Sequence, residues 1–452
     1  MAAPHLRRVL ALRDLIVVAA AAMGPAFSLA TTMAAMIAAA RGQTWLALAL
    51  VAVLMAMIAA GYKRLGERMR DAGSSYAWIR AAFGPETGAY AAWVLLVANL
   101  FAVLATALPA GTYTLDLLAP ALAANGPAVA LTACAWIAGS ALLLWRGLRP
   151  TALLACALLA AEVIVLAGAG GLAASEPRPD AVAFAPGAPA WGGIVAAMVV
   201  GIWMLDGWEV SASTAEEAQG ARSAPGWGGL AGLTLTAGLL LAAVWAFSRL
   251  GSAAGFAAHE NDALAYVGTL LGGGWPRVLI ATVLASLAAS LQTTLVYLSR
   301  SVYAMGRDGL LPRPLGELDE RAEPRASIVL IAVLSLAFSL LAALSPTAKA
   351  AFDLVLTGTS WFLGVLFVMT AAAAVRIFAR DRSVRWSGAI LPGFAAVILG
   401  AILTLSLKED DLWTRGFIAA SAIIGLPLAL WRGRIVRGHG STRGGPHTGS
   451  RF

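Results

Sequence analysis

The 452-residue sequence has little of the chemistry that soluble enzymes use. Charged residues make up 12% of the chain, against about 25% in an ordinary soluble domain. The two cysteines, Cys134 and Cys156, are too few for a disulfide framework or a cysteine-based zinc site. The four histidines have no metal-ligand spacing and lie outside the long apolar runs. We therefore expect no cofactor, no metal centre and no enzymatic activity.

Apolar residues dominate the amino-acid composition. They make up 60% of the chain, and the mean hydropathy is +0.79. The formal net charge is +8, but the basic residues lie between apolar runs and form no Arg-rich stretch with interleaved aromatic residues. Membrane orientation therefore explains the charge better than nucleic-acid binding does. The composition excludes a soluble domain or a disordered chain and indicates a polytopic integral membrane protein.

Twelve apolar segments are each long enough to cross the hydrocarbon core of a bilayer. Backbone polar groups must be satisfied within each segment in lipid, so we expect helices. The predicted spans are residues 15–40, 45–62, 87–118, 127–145, 151–174, 191–214, 226–248, 275–298, 327–344, 350–374, 387–407 and 412–431. The sequence thus predicts an all-α membrane protein with 12 transmembrane helices.

The distribution of arginine and lysine predicts the orientation of these spans. With the N-terminus inside, 25 basic residues fall on inside segments and 7 on outside segments. Inside loops carry the excess of basic residues in membrane proteins. We therefore expect both termini in the cytoplasm and an even number of spans. A bacterial-type inner (plasma) membrane fits the absence of targeting features.

Two spans contain residues that interrupt helices. The first span has Gly24-Pro25 near its middle, and the sixth has Asp206-Gly207 followed by Glu209. Proline removes a backbone donor and glycine loosens the helix. An ordinary proline kink would explain the first feature, and an earlier end of the span would explain the second. Discontinuous helices that bind substrate are the functional alternative.

Four spans separate the two breaks, which places them at corresponding positions of two five-helix halves. Such a pair is the best sequence pointer to an inverted-repeat transporter. Half-helix N-termini suit a carboxylate, and Asp206 suits an ammonium group, so the pair would form a receptor for a zwitterion such as an amino acid.

The predicted organisation is a cytoplasmic N-terminus, a ten-helix core of five plus five helices, two extra C-terminal helices and a basic, disordered tail. Their bounds are 1–14, 15–374, 375–431 and 432–452.

Four stretches of the chain also carry the motifs of a known family, in the order of that family. They are Gly24–Ser28, Arg70–Tyr76 with Phe83-Gly84-Pro85, Asp206–Glu209 with Glu216-Glu217 and Pro225, and Ser299–Pro312. On these motifs the chain resembles permeases of the amino acid–polyamine–organocation superfamily. It departs from the family in having Pro25-Ala26 after the first glycine and Trp208 in place of a phenylalanine, which leaves the substrate open.

The breaks and the resemblance together predict the substrate site. Its expected residues are Gly24, Pro25, Ala26, Phe27, Ser28, Asn99, Trp203, Asp206 and Gly207. The resemblance implies that Trp203 is an aromatic gate over the substrate, although a lipid-facing tryptophan is an alternative. Asp206 is the candidate partner of a substrate ammonium group. Thr357, Ser360 and Trp361 are weaker lining candidates.

Glu162 is the main candidate for coupling. It lies in the middle of the fifth span with no basic residue nearby in the sequence, and a lone carboxyl group in a membrane is functional by default. The resemblance implies that it lies near the position of an ion-site lysine in some permeases. A structural carboxyl group is one alternative. Sodium coupling through Ser286 and Ser290, with Thr293 and Thr294, is another.

Six more side chains are candidates for gating. We assign Glu209 and Trp208 to gating or coupling on the family motif. Arg307 and Asp308 either pair with each other in an inner loop and tie the gate, or form a solvated turn. Glu216 and Glu217 form either an inner clamp or a surface charge run.

The predicted function is secondary active transport of amino acids or related amines by alternating access, with proton symport favoured. Exchange, sodium coupling and a transporter-like receptor remain alternatives. The expected partners are a small amino acid or amine, the proton and the lipid bilayer, with no nucleic acid. The oligomeric state stays open.

Overall fold

The computed structural model describes residues 5–182, 188–260, 262–345, 347–409 and 411–442. Within these residues the secondary structure is helical except for one isolated bridge between Leu10 and Ala218. The α-helices are α1 (Leu12–Ala22), α2 (Pro25–Ala40), α3 (Thr44–Arg68), α4 (Ser75–Phe83), α5 (Pro85–Leu118), α6 (Gly126–Trp145), α7 (Leu148–Ser175), α8 (Trp191–Met204), α9 (Val210–Ser213), α10 (Ala224–Ser248), α11 (Ala253–Ala258), α12 (Ala263–Leu271), α13 (Trp275–Arg307), α14 (Arg325–Ala342), α15 (Ala348–Phe378), α16 (Leu391–Glu409) and α17 (Leu412–Thr442).

Ten helical stretches of the described residues are long and apolar enough to cross a membrane. The first of them, Leu12–Arg68, has 57 residues and contains α1, α2 and α3. Helix α8 is equally apolar but has only 14 residues. The chain is therefore an all-helical, multi-pass membrane protein, as predicted. The predicted number of twelve differs because it divides Leu12–Arg68 into two spans and includes α8.

Both interrupted spans break where glycine adopts a left-handed backbone. Helix α1 ends before Gly24, whose φ is +52°, and Pro25 then opens α2 at a position where its missing N–H is harmless. Helix α8 ends before Gly207, whose φ is +109°, and a single turn, α9, follows. An L side chain rarely adopts such angles, so the position of each break follows from the local sequence.

Burial separates central helices from peripheral ones. The most apolar 18-residue stretch of each helix is 83% buried in α5 and 67% buried in α13, but only 28% buried in α14 and 17% buried in α17. Side chains such as Val397 and Trp413 are 74% and 75% exposed, as expected of residues that face lipid. Helices α1, α2 and α9 pack against α13, so the breaks lie beside a central helix of the bundle.

The connecting segments add short helices and ion pairs. Helix α4 lies between α3 and α5, and α11 and α12 lie between α10 and α13. The loops around Asp71 and Glu216 meet Arg307, at the end of α13. We call this end of the bundle the basic end.

The C-terminal helix is longer than predicted. The sequence predicted a disordered tail from Arg432, whereas α17 continues to Thr442. A helix that is already nucleated extends at little cost through residues such as Arg, Ile and Val. Residues 443–452 of the predicted tail lie outside the described residues.

Close packing of α10 on α1 gives a test of this architecture. A methyl group on Gly232 would lie 2.7 Å from the Ala19 Cβ atom and 2.8 Å from the Ile16 carbonyl oxygen. We expect Gly232→Ala to lower the free energy of unfolding by about 1–3 kcal/mol, as overpacking does. The control is Gly238→Ala in the same helix, where nothing lies within 4 Å. It should be neutral or stabilising by up to about 1 kcal/mol. Thermal unfolding in detergent measures both, and equal shifts would contradict this packing.

Candidate functional site

The two helix breaks lie against each other. A methyl group on Gly207 would lie 2.9 Å from the Ala22 carbonyl oxygen at the end of α1. The same carbonyl oxygen accepts a hydrogen bond from the Ser290 hydroxyl at 2.9 Å. Only a residue without a side chain allows this approach. The sequence predicted two separate breaks, and the packing joins them into one site.

The N-terminus of α2 is capped by side chains from other helices. The Ala26 N–H donates to Glu162 Oε1 of α7. The Phe27 N–H donates to the Ser286 hydroxyl of α13 at 3.2 Å, and Ser286 lies beside the same carboxyl group. A carboxylate is a favourable partner for a helix N-terminus because of the unpaired N–H groups and the helix dipole. Glu162 therefore lies at the first break.

The remaining donors of this stretch are also satisfied. The N–H of Gly24 donates to Ala21 at 3.2 Å, and that of Ser28 donates to Gly24 at 2.8 Å. Pro25 has no N–H. The backbone donors that the sequence analysis offered to a substrate carboxylate are thus engaged within the protein. An anion can bind here only by replacing Glu162 or Ser286.

A carboxyl group also closes the second break. The Gly207 N–H donates to Glu209 Oε2 at 3.1 Å, and Glu209 is only 2% exposed. Asp206 differs, because its Oδ1 atom is buried without a hydrogen-bond partner among the described residues. An unpaired carboxyl oxygen in the interior is costly unless it binds a ligand or a proton. Asp206 is thus an acidic group of the site with a free oxygen atom, and the Glu162 Oε2 atom is likewise buried without a hydrogen-bond partner among the described residues.

A central cavity lies between the breaks. Water has access to about 40 Å³ of it, which is space for only a few water molecules at roughly 10–15 Å³ each. Its lining residues are Ala22, Met23, Phe27, Ser28, Asn99, Ala102, Thr106, Trp203, Asp206, Gly207, Glu209, Val210, Ser290, Thr293, Thr294, Tyr297 and Leu363. The lining contains two carboxyl groups and no basic residue. The cavity is therefore suited to a cation and is closed in this conformation.

Most of the predicted site residues line this cavity, but some do not. Those that line it are Phe27, Ser28, Asn99, Trp203, Asp206, Gly207, Glu209 and Ser290. Gly24, Pro25, Ala26, Glu162 and Ser286 are not among its lining residues; they form the capped start of α2 and its partners. Trp208 points elsewhere: its ring stacks on Phe367 at 5.6 Å and meets Tyr62 edge-on. The place of Trp208 in the family motif does not indicate the direction in which its side chain points.

The sequence analysis missed two polar lining residues. Thr106 lies two helical turns after Asn99, and Tyr297 lies one turn after Thr293. Residues at these spacings share a helix face. This periodicity would have identified both residues.

A second cavity of about 190 Å³ lies beyond Trp203, between α2, α8, α15 and α16. Thr357, Ser360 and Trp361 line this second cavity rather than the central one. Trp203 lines both cavities, and its indole N–H is buried without a hydrogen-bond partner among the described residues. The Trp203 side chain therefore divides the two spaces.

Buried ion pairs close the basic end. Arg300 donates to both oxygens of Glu217, at 3.1 and 2.9 Å, and to Glu323 at 2.8 Å. Arg300 is 0% exposed and Glu217 is 2% exposed. Glu217 therefore clamps the basic end, and its burial contradicts the alternative of a surface charge run. Its backbone carbonyl also accepts from the N–H groups of Val9 and Leu10, which attaches the N-terminal segment to the same point.

A second set of pairs lies nearer to the surface. Arg307 pairs with Glu216 at 2.8 Å and with Asp71 at 3.0 Å, whereas Asp308 pairs with Arg80 at 2.9 Å. The expected pair between Arg307 and Asp308 is therefore wrong, because consecutive residues of a helix do not face each other. Burial raises the pKa of Asp71 above its ordinary value, although the Arg307 guanidinium opposes the rise.

The contact between the breaks can be tested at Gly207. In Gly207→Ala, an unfavourable φ of +109° would be combined with a clash between the new methyl group and the Ala22 carbonyl oxygen. Gly220→Ala is the control, since its φ is +75° and nothing lies within 4 Å. The control should cost about 1–2 kcal/mol from backbone strain alone, and Gly207→Ala should cost clearly more. Thermal unfolding in detergent measures both variants. Equal losses would show that the two breaks do not touch.

Comparison with known proteins fits this arrangement. A model of the amino acid permease family matches residues 13–425. The chain is 25% identical over 328 residues to the uncharacterized amino acid permease YecA of Bacillus subtilis, covering 72% of this chain and 74% of that protein. It is 26% identical over 311 residues to the branched-chain amino acid permease BcaP of Lactococcus lactis, covering 64% of this chain and 66% of that protein. The chain thus belongs to the amino acid permease family of the amino acid–polyamine–organocation superfamily, and it is a transporter rather than an enzyme.

Proposed function

We propose that the protein is a secondary active transporter that moves amino acids or related amines by alternating access, in symport with protons. The observation that carries the proposal is the acidic central cavity at two apposed helix breaks. It is separated from the basic end by buried ion pairs and from a second cavity by one tryptophan. Access from the two sides would alternate as these two barriers open in turn.

The proposal includes twelve crossings and an inverted repeat. Counting Leu12–Arg68 as two crossings and Trp191–Ser213 as one interrupted crossing gives twelve. The breaks then fall in the first and sixth crossings, the corresponding positions of two five-helix halves. The ion pairs lie at the same end as the N-terminus. With the excess of basic residues on that side, both termini would be cytoplasmic in an inner (plasma) membrane.

Asp206 is the proposed partner of the substrate's ammonium group. Its free Oδ1 atom belongs to a residue that lines the cavity, where no lysine or arginine competes for it. Hydroxyl groups and the Asn99 amide supply further hydrogen-bond partners. The relatives carry the names of amino acid permeases, one of them for branched-chain amino acids, which supports an amino acid as the substrate class.

Glu162 is the proposed proton carrier. In its ionised form it occupies the N-terminus of α2, and no basic residue contacts it among the described residues. Protonation weakens a charge-assisted hydrogen bond and would release the Ala26 N–H. A substrate carboxylate could then take the place of Glu162, so that proton and amino acid bind together. Such mutual dependence is what symport requires.

Sodium coupling is supported less well. Ser286 and Ser290 would be the hydroxyl ligands, but their oxygen atoms already take part in hydrogen bonds with Phe27 and Ala22. An ion at this site would compete with the Phe27 N–H for Ser286 and with the Ser290 hydroxyl for the Ala22 carbonyl oxygen, although each hydroxyl oxygen keeps a further lone pair. The sodium arm of the following experiment decides between the two ions.

Uptake into proteoliposomes tests coupling. A panel of labelled amino acids and amines is offered with an inward proton gradient or with sodium. We expect saturable uptake driven by the proton gradient. Glu162→Gln keeps an acceptor oxygen for Ala26 but cannot carry the proton, so gradient-driven accumulation should fall at least about tenfold.

The control for this experiment is Glu176→Gln, the same change at the exposed end of α7. It should transport like the wild type. Gradient-driven uptake that survives in Glu162→Gln would remove Glu162 from coupling. Binding without any flux would favour a receptor.

Substrate binding tests the role of Trp203. The central cavity offers only about 40 Å³, and a rotation of this side chain would join it to the second cavity and make room for a larger substrate. We expect Trp203→Ala to weaken substrate retention by about 1–3 kcal/mol, the range for loss of an aromatic contact of this kind. Trp191→Ala, at the exposed start of the same helix, is the control. Equal binding and uptake in both variants would make Trp203 an ordinary packing residue.

A further inference from the structure

A large cavity at the basic end is separate from the central cavity. It has a volume of about 750 Å³ and lies between the end of α3, helix α4 and the end of α15. Its lining residues are Leu65, Arg68, Met69, Trp78, Ala81, Ala82, Arg376, Ile377, Arg380 and Asp381. Ligand cavities in proteins have similar sizes, about 300–1,000 Å³. None of these residues lines the central cavity.

Among the described residues the arginines of this cavity form no ion pair, although the Arg68 guanidinium acts electrostatically on Asp381. Arg68, Arg376 and Arg380 form no ion pair with the described residues, unlike Arg64, which pairs with Glu67 at 2.9 Å. Arg376 is positioned by its hydrogen bond to the Ala82 carbonyl oxygen at 2.6 Å and lies over the Phe83 ring. All three arginines are exposed, and the guanidinium group of Arg376 is held in place by its backbone hydrogen bond.

The single carboxylate of the cavity does not neutralise this charge. Asp381 Oδ1 accepts from both the N–H and the hydroxyl of Ser383, at 3.1 and 2.6 Å, which fixes it within its own turn. Three guanidinium groups and one carboxylate leave a net positive lining. Arg382 and Arg385, both exposed, follow directly in the sequence and extend the positive surface. The site is thus complementary to an anion.

The cavity lies at the level of the bilayer surface. Arg64 of α3 donates to Ser387 at 2.9 Å, which places the end of α3 beside the start of the α16 region. There Trp386 is 65% exposed, and Phe394 and Val397 farther along are also exposed. Exposed tryptophan marks the interface of a membrane protein, and the apolar face beyond it marks the hydrocarbon. The arginines therefore lie at headgroup level.

We propose that this cavity binds the headgroup of an anionic phospholipid. The guanidinium groups would hold the phosphate, which suits their geometry, and basic pockets between helices at this membrane side bind such headgroups in general. Leu65, Met69 and Ile377 give the cavity an apolar floor for the glycerol and the first acyl carbons. The chain's own C-terminal tail does not fit, because residues 432–452 contain five arginines and no carboxylate side chain.

The test is native mass spectrometry of the full-length protein in detergent, titrated with dioleoyl-phosphatidylglycerol or with dioleoyl-phosphatidylcholine. We expect one tightly bound phosphatidylglycerol and no comparable phosphatidylcholine. The variant carries Arg68→Gln, Arg376→Gln and Arg380→Gln and should bind phosphatidylglycerol about tenfold more weakly. The control carries Arg13→Gln, Arg313→Gln and Arg321→Gln, which removes the same charge from exposed positions of the same predicted side. It should bind like the wild type.

Several outcomes would overturn the proposal. If the control lost as much phosphatidylglycerol binding as the variant, the overall positive charge of this side would explain the binding, and the cavity would not. Complete displacement of the lipid by millimolar glycerol 3-phosphate or inorganic phosphate would make the cavity a site for soluble anions. Arg68→Gln and Arg380→Gln, at exposed and unpaired positions, serve as single variants if thermal unfolding shows that the triple variant is misfolded. Unchanged lipid binding in both single variants would then refute the site. Transport is not measured, so failure here is independent of the proposed function.

Discussion

The backbone groups at two helix breaks inside the bilayer determine the arrangement of the central helices. An unsatisfied N–H or carbonyl group in lipid costs several kcal/mol, so each break needs partners from neighbouring helices. The α2 N-terminus receives Glu162 from α7 and Ser286 from α13, and the end of α1 receives the Ser290 hydroxyl. These bonds hold three separate crossings together at one point. A substrate that engages the breaks therefore acts on all of them.

The same requirement links binding to movement. Two glutamates, Glu162 and Glu209, occupy the N–H groups of the two breaks, while Asp206 keeps a free oxygen next to them. A ligand or a proton that changes one carboxyl group alters the partners of the backbone it caps. At the basic end, Glu217 and Arg300 join the segment after α9 to α13 and to the N-terminal residues. Because a buried pair of this kind is costly to separate, rigid groups of helices are expected to move as units.

The sequence predicted those features that depend on neighbouring residues. The membrane class follows from composition, and the positions of the breaks follow from Gly24-Pro25 and Gly207, since these residues interrupt helices wherever they occur. Asn99, Trp203 and Asp206 were predicted to belong to one site, and all three line the central cavity. The directions of Trp208 and Arg307 were not predictable in this way. Both depend on the rotation of a helix or turn against its neighbours, which a motif does not specify.

The sequence by itself thus determined that the chain is a helical membrane permease with two interrupted crossings, because apolar length, glycine and proline act locally. Only the tertiary structure decided what fills those interruptions. Glu162 lies 136 positions from Ala26 along the chain, and their contact depends on how α7 packs against α2. The division of the interior by Trp203 and the choice of Asp71 and Glu216 as partners of Arg307 have the same origin. Contacts between distant residues are selected by the packing of whole helices, and no single segment encodes that packing.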